Sequence, residues 1–154
     1  MIKETDGNRF EEMRSLEQNL TFVETSREFA RRNVEFGLHR MKTLKLLNND
    51  GIYTNLGLLL SEQCKHTIKV AVFQGTDQSV FKDRREFSGS LFKQLNEVYE
   101  YIDIHNQTQS TFNKLLRIDT RDYPEDAIRE ALLNLMVHRD YGFQASALIS
   151  IYLL

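Results

Sequence analysis

The sequence predicts an α+β domain, in which a helical N-terminal portion packs beside a mixed sheet that carries long helices. Three observations predict it. Apolar residues recur at helical spacing over residues 90–105 and 124–138. Short stretches near 67–74, 111–120 and 146–154 are β-branched or alternate between apolar and polar residues. The first third of the chain has helix-type spacing with turn signals between its segments. With 154 residues, 41% hydrophobic and 27% charged, the composition is that of a folded domain and excludes wholesale disorder.

The elements follow in order. Phe10, Met13 and Leu16 fall on one face of a helix expected over Asn8 to Gln18. Thr25 followed by Glu28 fits a capping box, opening a second helix through Phe29 and Val34 that stops near Gly37. A short segment over Met41 to Leu47 leads into Asn48-Asn49-Asp50-Gly51, a dense turn signal. Thr54 is placed to cap a helix over Asn55 to Ser61, whose leucines Leu56, Leu58, Leu59 and Leu60 need a core. The register changes after Lys65. Ile68, Val70 and Val72 share one side of a strand ending near Phe73, Gly75-Thr76-Asp77 turns the chain, and Arg84 to Phe87 pairs back on it.

Leu91, Leu95, Val98 and Ile102 then mark a helix from Ser90 to His105. Thr111 to Thr120 alternates and predicts a half-buried strand, with Phe112, Leu116 and Ile118 toward the core. Pro124 suits a first helical position, and Glu125 and Asp126 suit the positive end of the helix dipole, so a helix runs to about His138. Ser146 to Leu154 is an apolar strand whose sheet would be left unfinished, which points to a longer parent protein. The expected division is a helical region over 1–65 and an α+β region over 66–154.

Several functions are excluded or weakened by composition. No apolar stretch approaches the ~20 residues of a membrane helix, and residues 1–20 carry no secretory signal, so a cytoplasmic location is expected. Cys64 is the single cysteine, which excludes an intrachain disulfide and leaves little material for structural zinc. A net charge of −2 argues against a protein built mainly to hold nucleic acid. Even so, Arg27, Arg31, Arg32, Arg40, Lys42 and Lys45 outnumber Glu28 and Glu35 between residues 26 and 47, a local field able to attract phosphate. A solvated helix face explains the same run.

The helix after Pro124 carries the densest chemistry. At about 100° per residue, Glu130, Asn134 and His138 form a polar line bordered by Ala127 and Ala131, while Ile128, Leu132, Leu133, Leu135, Met136 and Val137 spread around the rest. Two arrangements satisfy this pattern. The line faces solvent or bonds to neighbouring backbone, or the two alanines leave room for a ligand. In the second case Asn134 would ligate Mg²⁺ or bond a phosphate, and Glu130 would position or deprotonate a water. The glycines never cluster into a phosphate loop. Cys64-Lys65-His66 looks reactive, but neighbouring side chains diverge. Asp83-Arg84-Arg85-Glu86 could bind phosphate through its arginines but is read as a salt-bridge ladder of a hairpin, and Tyr99 and Tyr101 as core and rim of a helix rather than a base-stacking platform.

Glu130-Ala131-Leu132-Leu133-Asn134 through His138-Arg139-Asp140-Tyr141 resembles the nucleotide-box helix of the GHKL ATPase superfamily, in the form found in bacterial RecG-like transcriptional regulators. Tyr53 to Leu60, Phe73-Gln74-Gly75-Thr76-Asp77, Asp83 to Gly89 and Tyr123-Pro124-Glu125 follow in family order. The resemblance implies an incomplete GHKL-type ATPase fold within a longer regulator. A Schlafen AlbA-type domain, implicated in nucleic-acid binding, would precede this region, and the glycine boxes that close over ATP would follow it. By the same resemblance Glu130 is the candidate base and Asn134 the candidate Mg²⁺ ligand, and His138, Arg139, Asp140 and Tyr141 complete the cofactor-binding set. This fragment alone is expected to be catalytically silent, without bound ATP or Mg²⁺, and helicase motifs are absent from it. DNA contact would come through the parent protein. Alternatives are a nucleic-acid-binding module using the 27–45 run, or a homo-oligomeric scaffold joined through the unfinished sheet edge.

Overall fold

The computed structural model describes residues 9–153 and has the α+β class expected from the sequence. Its elements are α1 (Val23–Arg31), α2 (Leu38–Thr43), α3 (Asn55–Leu60), β1 (Ile68–Gln74), β2 (Val80–Phe87), α4 (Leu91–His105), β3 (Thr108–Asn113), β4 (Leu116–Arg121), α5 (Glu125–His138) and β5 (Ala147–Leu153). A three-stranded sheet has the order β2-β1-β5, with β1 antiparallel to β2 and parallel to β5. The strands β3 and β4 form a separate hairpin between the two long helices.

The central strand behaves as its pattern dictates. Ile68, Val70 and Val72 are fully buried and meet Val98 and Ile102 of α4, Leu132 of α5, and Ile151 and Leu153 of β5. Burial of each such side chain stabilises the fold by roughly 1.5–3 kcal/mol relative to exposure. Gly75, at φ +93°, makes the turn into β2. A bulge between Val72 and Phe73 shifts the pairing so that Val72 faces Asp83 and Phe73 faces Phe81. Ser90 caps α4, its hydroxyl accepting from the Phe92 amide at 3.3 Å and donating to Leu60 O at 2.7 Å, so the cap also ties α4 to the end of α3.

The N-terminal segment departs from the expected helix. Only Phe10–Glu12 forms one 3-10 turn, and Leu16 is fully exposed. Residue 8, where that helix would begin, lies outside the described residues. The backbone here is satisfied laterally instead. Asn55 N–H donates to Met13 O at 2.8 Å, Ser15 N–H to Tyr53 O at 2.9 Å, and the Asn55 amide to Phe10 O at 2.8 Å. These lateral bonds at Phe10 O, Met13 O and Ser15 N–H compete with the bonds a helix would need.

The next helix is also corrected. It begins at Val23, two residues before Thr25, and the expected capping box does not form. Glu62 caps it from a distance in sequence, its carboxylate accepting from Val23 N–H at 2.8 Å and Glu24 N–H at 3.3 Å. Thr25 lies inside the helix, buried, and donates to Leu60 O at 2.8 Å. The helix stops at Arg31 because Asn33 adopts φ +56°, short of Gly37. Phe22, Met41, Leu46 and Leu47 form the small core of this half. Thr54 caps α3 as expected, accepting from Gly57 N–H.

Residues 111–120 are not one half-buried strand. They are parts of both arms of the hairpin, reversed at Lys114 (φ +58°), and Phe112, Leu116 and Ile118 are exposed. The register pairs Phe112 with Arg117 and Asn113 with Leu116, so Phe112 lies on the opposite face of the ribbon from Leu116 and Ile118, unlike in one continuous strand. Asn106 holds the base of the hairpin, its side chain donating to Tyr123 O and accepting from Tyr123 N–H. Arg121 adds ion pairs to Asp103 at 3.0 Å and Glu125 at 3.2 Å. Pro124 precedes the first turn of α5 rather than occupying it.

Candidate functional site

The helix α5 distributes its side chains among three directions. Leu132 is buried in the core under the sheet. Ile128, Ala131 and Leu135 line a small apolar groove of about 370 Å³ shared with Leu148 to Ile151 of β5. Arg129 and Leu133 turn toward α1 and α4. Glu130, Asn134 and His138 project along the remaining face and are exposed. They stand four residues apart, one turn each. Among the described residues no side-chain hydrogen bond or ion pair engages any of the three, and none lines the grooves on either side of the helix. Of the two arrangements the pattern allows, the solvent-facing one is present, with Ala131 reaching the apolar groove and Ala127 exposed.

The residues after His138 are engaged in structure. Arg139 Nη2 donates to Ala145 O at 3.0 Å, and its guanidinium lies 5.5 Å from the centre of the Tyr141 ring. Partial burial pulls the Arg139 pKa down, and its Nη1 is buried without a partner. Asp140 accepts from Gly142 N–H at 2.9 Å, closing the turn. Tyr141 is buried among Leu59, Cys64 and Leu91, and its hydroxyl donates to Met136 O at 2.6 Å. Burial pushes its phenol up to about 12. Tyr141 thus serves as an anchor for the C-terminus of α5, away from the exposed line.

His66, which the sequence offered only as part of a reactive-looking trio, has a structural role. Its Nε2 bonds the carbonyls of Tyr141 at 2.9 Å and Phe143 at 3.1 Å. Both partners can only accept, so Nε2 carries the proton. One buried imidazole therefore fastens the turn after α5 to the start of β1. The Cys64 thiol donates to His66 O at 3.7 Å, and burial raises its pKa. The ring is turned elsewhere, and no Cys–His dyad forms. Gln94, fully buried in α4, adds a second fastening by donating to His66 O and Gly89 O, each at 2.7 Å. No spacing signal in the sequence marks Gln94, because a lone buried amide has no periodic partner.

The charged cluster at the end of β2 is also redistributed. The expected salt-bridge ladder is absent: no ion pair involves Asp83, Arg84, Arg85 or Glu86 among the described residues. Asp83 accepts from the Tyr101 hydroxyl at 2.7 Å. Arg85 lies over the Phe87 ring at 5.0 Å, and Glu86 accepts from the Thr67 hydroxyl. Among the basic residues of the 27–45 run, Arg27 pairs with Glu24, while Arg31 and Arg32 share Glu28. Arg40, Lys42 and Lys45 make no ion pair among the described residues.

No family model and no curated protein matches the chain. Among solved structures, the DIP2311 protein from Corynebacterium diphtheriae superposes with a TM-score of 0.77 at 16% identity, over 94% of this chain and 31% of that one. The chain therefore spans less than a third of that protein's length. At this identity the likeness is one of fold, and fold does not carry function. No helix among the described residues is long and apolar enough to cross a membrane.

Proposed function

We propose that this chain is the nucleotide-facing half of an ATPase-like segment within a RecG-like bacterial transcriptional regulator, catalytically silent alone and working in the cytoplasm on DNA held by its parent protein. The reading rests on the motif resemblance of the α5 segment, whose carboxylate, amide and imidazole stand in register on a face open to solvent. The ordered resemblance from Tyr53 to Tyr141 supports the same view.

The chemistry of the donors fits the group that the resemblance implies. Mg²⁺ is usually held by one or two protein oxygens together with substrate phosphates and waters, and Asn134 and Glu130 offer two oxygens on successive turns. When bound, the ion would neutralise phosphate charge. Glu130 would orient a water, and His138 would lie one further turn along the same face. A solvent-facing line needs a second wall before it can hold a nucleotide, and the resemblance places that wall in downstream glycine boxes.

The test is Mg²⁺-dependent ATP binding, measured by calorimetry on a longer parent protein and on this chain. The parent is expected to bind, Asn134→Ala to weaken binding at least about tenfold (about 1.4 kcal/mol), and this chain alone to bind no nucleotide. A parent that ignores nucleotide, or is indifferent to Asn134→Ala, ends the proposal.

A further inference from the structure

A different side of α5 borders a groove of about 840 Å³ between α1, α4 and α5. Leu95, Leu132 and Leu133 line its apolar part, and Arg31, Arg32, Lys93 and Arg129 supply its cations. A second groove of about 240 Å³ is lined by Phe29, Arg32, Arg40 and Phe92. Arg32 belongs to both. The cations therefore follow one continuous path, from Arg40 through Arg32 and Arg31 to Lys93 and Arg129, drawn from four helices or their ends and invisible as a run in the sequence.

The charge along this path is not fully balanced. Arg31 and Arg32 divide the single carboxylate of Glu28, while Arg40 and Arg129 have no ion-pair partner among the described residues. Glu24, Glu97 and Glu100 also line the larger groove. Glu24 is taken by Arg27 and Glu97 by Lys93, so Glu100 and the shared Glu28, which lines the smaller groove, oppose Arg31, Arg32, Arg40 and Arg129. Aromatic rings stand beside the cations: Phe29 and Phe92 meet edge to face at 6.4 Å in the smaller groove, and Tyr99 lines the larger.

We propose that this path binds single-stranded nucleic acid, with backbone phosphates on Arg40, Arg32, Arg31 and Arg129 and unpaired bases against the aromatic and leucine walls. Cations spread along two joined grooves suit a chain of phosphates, whereas a free nucleotide would call for cations converging at one point. Aromatic and apolar surface beside the cations suits exposed bases, which a duplex keeps stacked inside. The inference is independent of the nucleotide reading, since Glu130, Asn134 and His138 line neither groove.

Fluorescence anisotropy with a labelled oligothymidylate of ~12 nucleotides, a length within the range single-strand grooves cover, tests it on the 154-residue chain. Binding is expected in the micromolar range at low salt, weakening as salt rises with a log–log slope near −0.7 for each phosphate neutralised. Arg32→Ala combined with Arg129→Ala should weaken binding at least about tenfold and flatten that slope. Lys42→Ala combined with Lys45→Ala, at residues that line neither groove, should leave it within about twofold. All four side chains are exposed, so unchanged circular dichroism is expected to certify the fold of both variants. Absence of binding at low salt overturns the proposal. So does equal loss from the lysine pair, equal affinity for a blunt duplex, or displacement of the strand by a mononucleotide at the same concentration.

Discussion

Removing the carboxylate of Glu62 tests whether α1 is capped from outside itself. Two amides of the first turn, Val23 N–H and Glu24 N–H, end on this one side chain. Loss of a capping side chain costs about 0.5–2 kcal/mol, and a charge near the positive end of a helix adds about 0.3–1 kcal/mol at exposed sites. Glu62 is half-buried and its contacts lie at the surface, so Glu62→Ala is expected to cost about 1–2 kcal/mol. For a chain of this size about 1 kcal/mol moves Tm by ~2–4 °C, giving an expected fall of roughly 3–6 °C in a thermal melt. Glu62→Gln, which keeps one acceptor oxygen, should lose about half as much. Glu28→Ala is the comparison, because the sequence nominated that residue as the capping partner. It removes the ion pairs to the exposed guanidiniums of Arg31 and Arg32, worth about 0–1 kcal/mol at such sites. If Glu28→Ala lowers Tm more than Glu62→Ala does, the long-range cap is refuted.

Gly57→Ala should destabilise despite the better helix propensity of alanine, because an added Cβ would lie 2.7 Å from the backbone oxygen of Leu46. Overpacking against rigid backbone costs about 1–3 kcal/mol against a gain of about 1 kcal/mol from propensity, so urea denaturation should show a lower midpoint, and a higher one would contradict the packing. Tyr101 is pushed up to about 12 by burial and by its bond to the Asp83 carboxylate. Its folded value lies above its ordinary value near 10, so its contribution to stability is full below pH 10 and is lost as pH rises toward 12. A spectrophotometric phenolate titration should show Tyr101 and Tyr141 ionising last, with Tyr101→Phe removing one of the late steps.

Much of the fold was legible because its elements obey one periodicity each. The strand from Ile68 and the helix from Leu91 were readable since burial on one side selects apolar residues at every second or every third to fourth position. The cap at Thr54 was readable because its partner lies three residues away. Glu62 was not, because its partners lie 38 and 39 residues back and leave no local mark. Alternation in Phe112, Leu116 and Ile118 misled because the turn at Lys114 reverses the chain and puts Phe112 on the face opposite Leu116 and Ile118, a break that even spacing does not reveal. At the candidate site, the in-line geometry of Glu130, Asn134 and His138 could be read from spacing alone. Which way that line faces could not, since a helix with apolar residues around most of its circumference can bury any of several faces. The groove that gathers Arg32, Lys93 and Arg129 required the tertiary fold, because those residues are separated by 61 and 36 positions in the chain.

The parallel pairing of β1 with β5 has a consequence for how the molecule is made. Ile68 finds Ala147 across the sheet, 79 residues later, so during synthesis the central strand emerges long before its neighbour exists. Bringing such distant segments together incurs loop-closure entropy before any contact repays it. The β1–β2 hairpin and α4 can assemble early on the ribosome, whereas the seam that completes the core forms only after α5 has emerged.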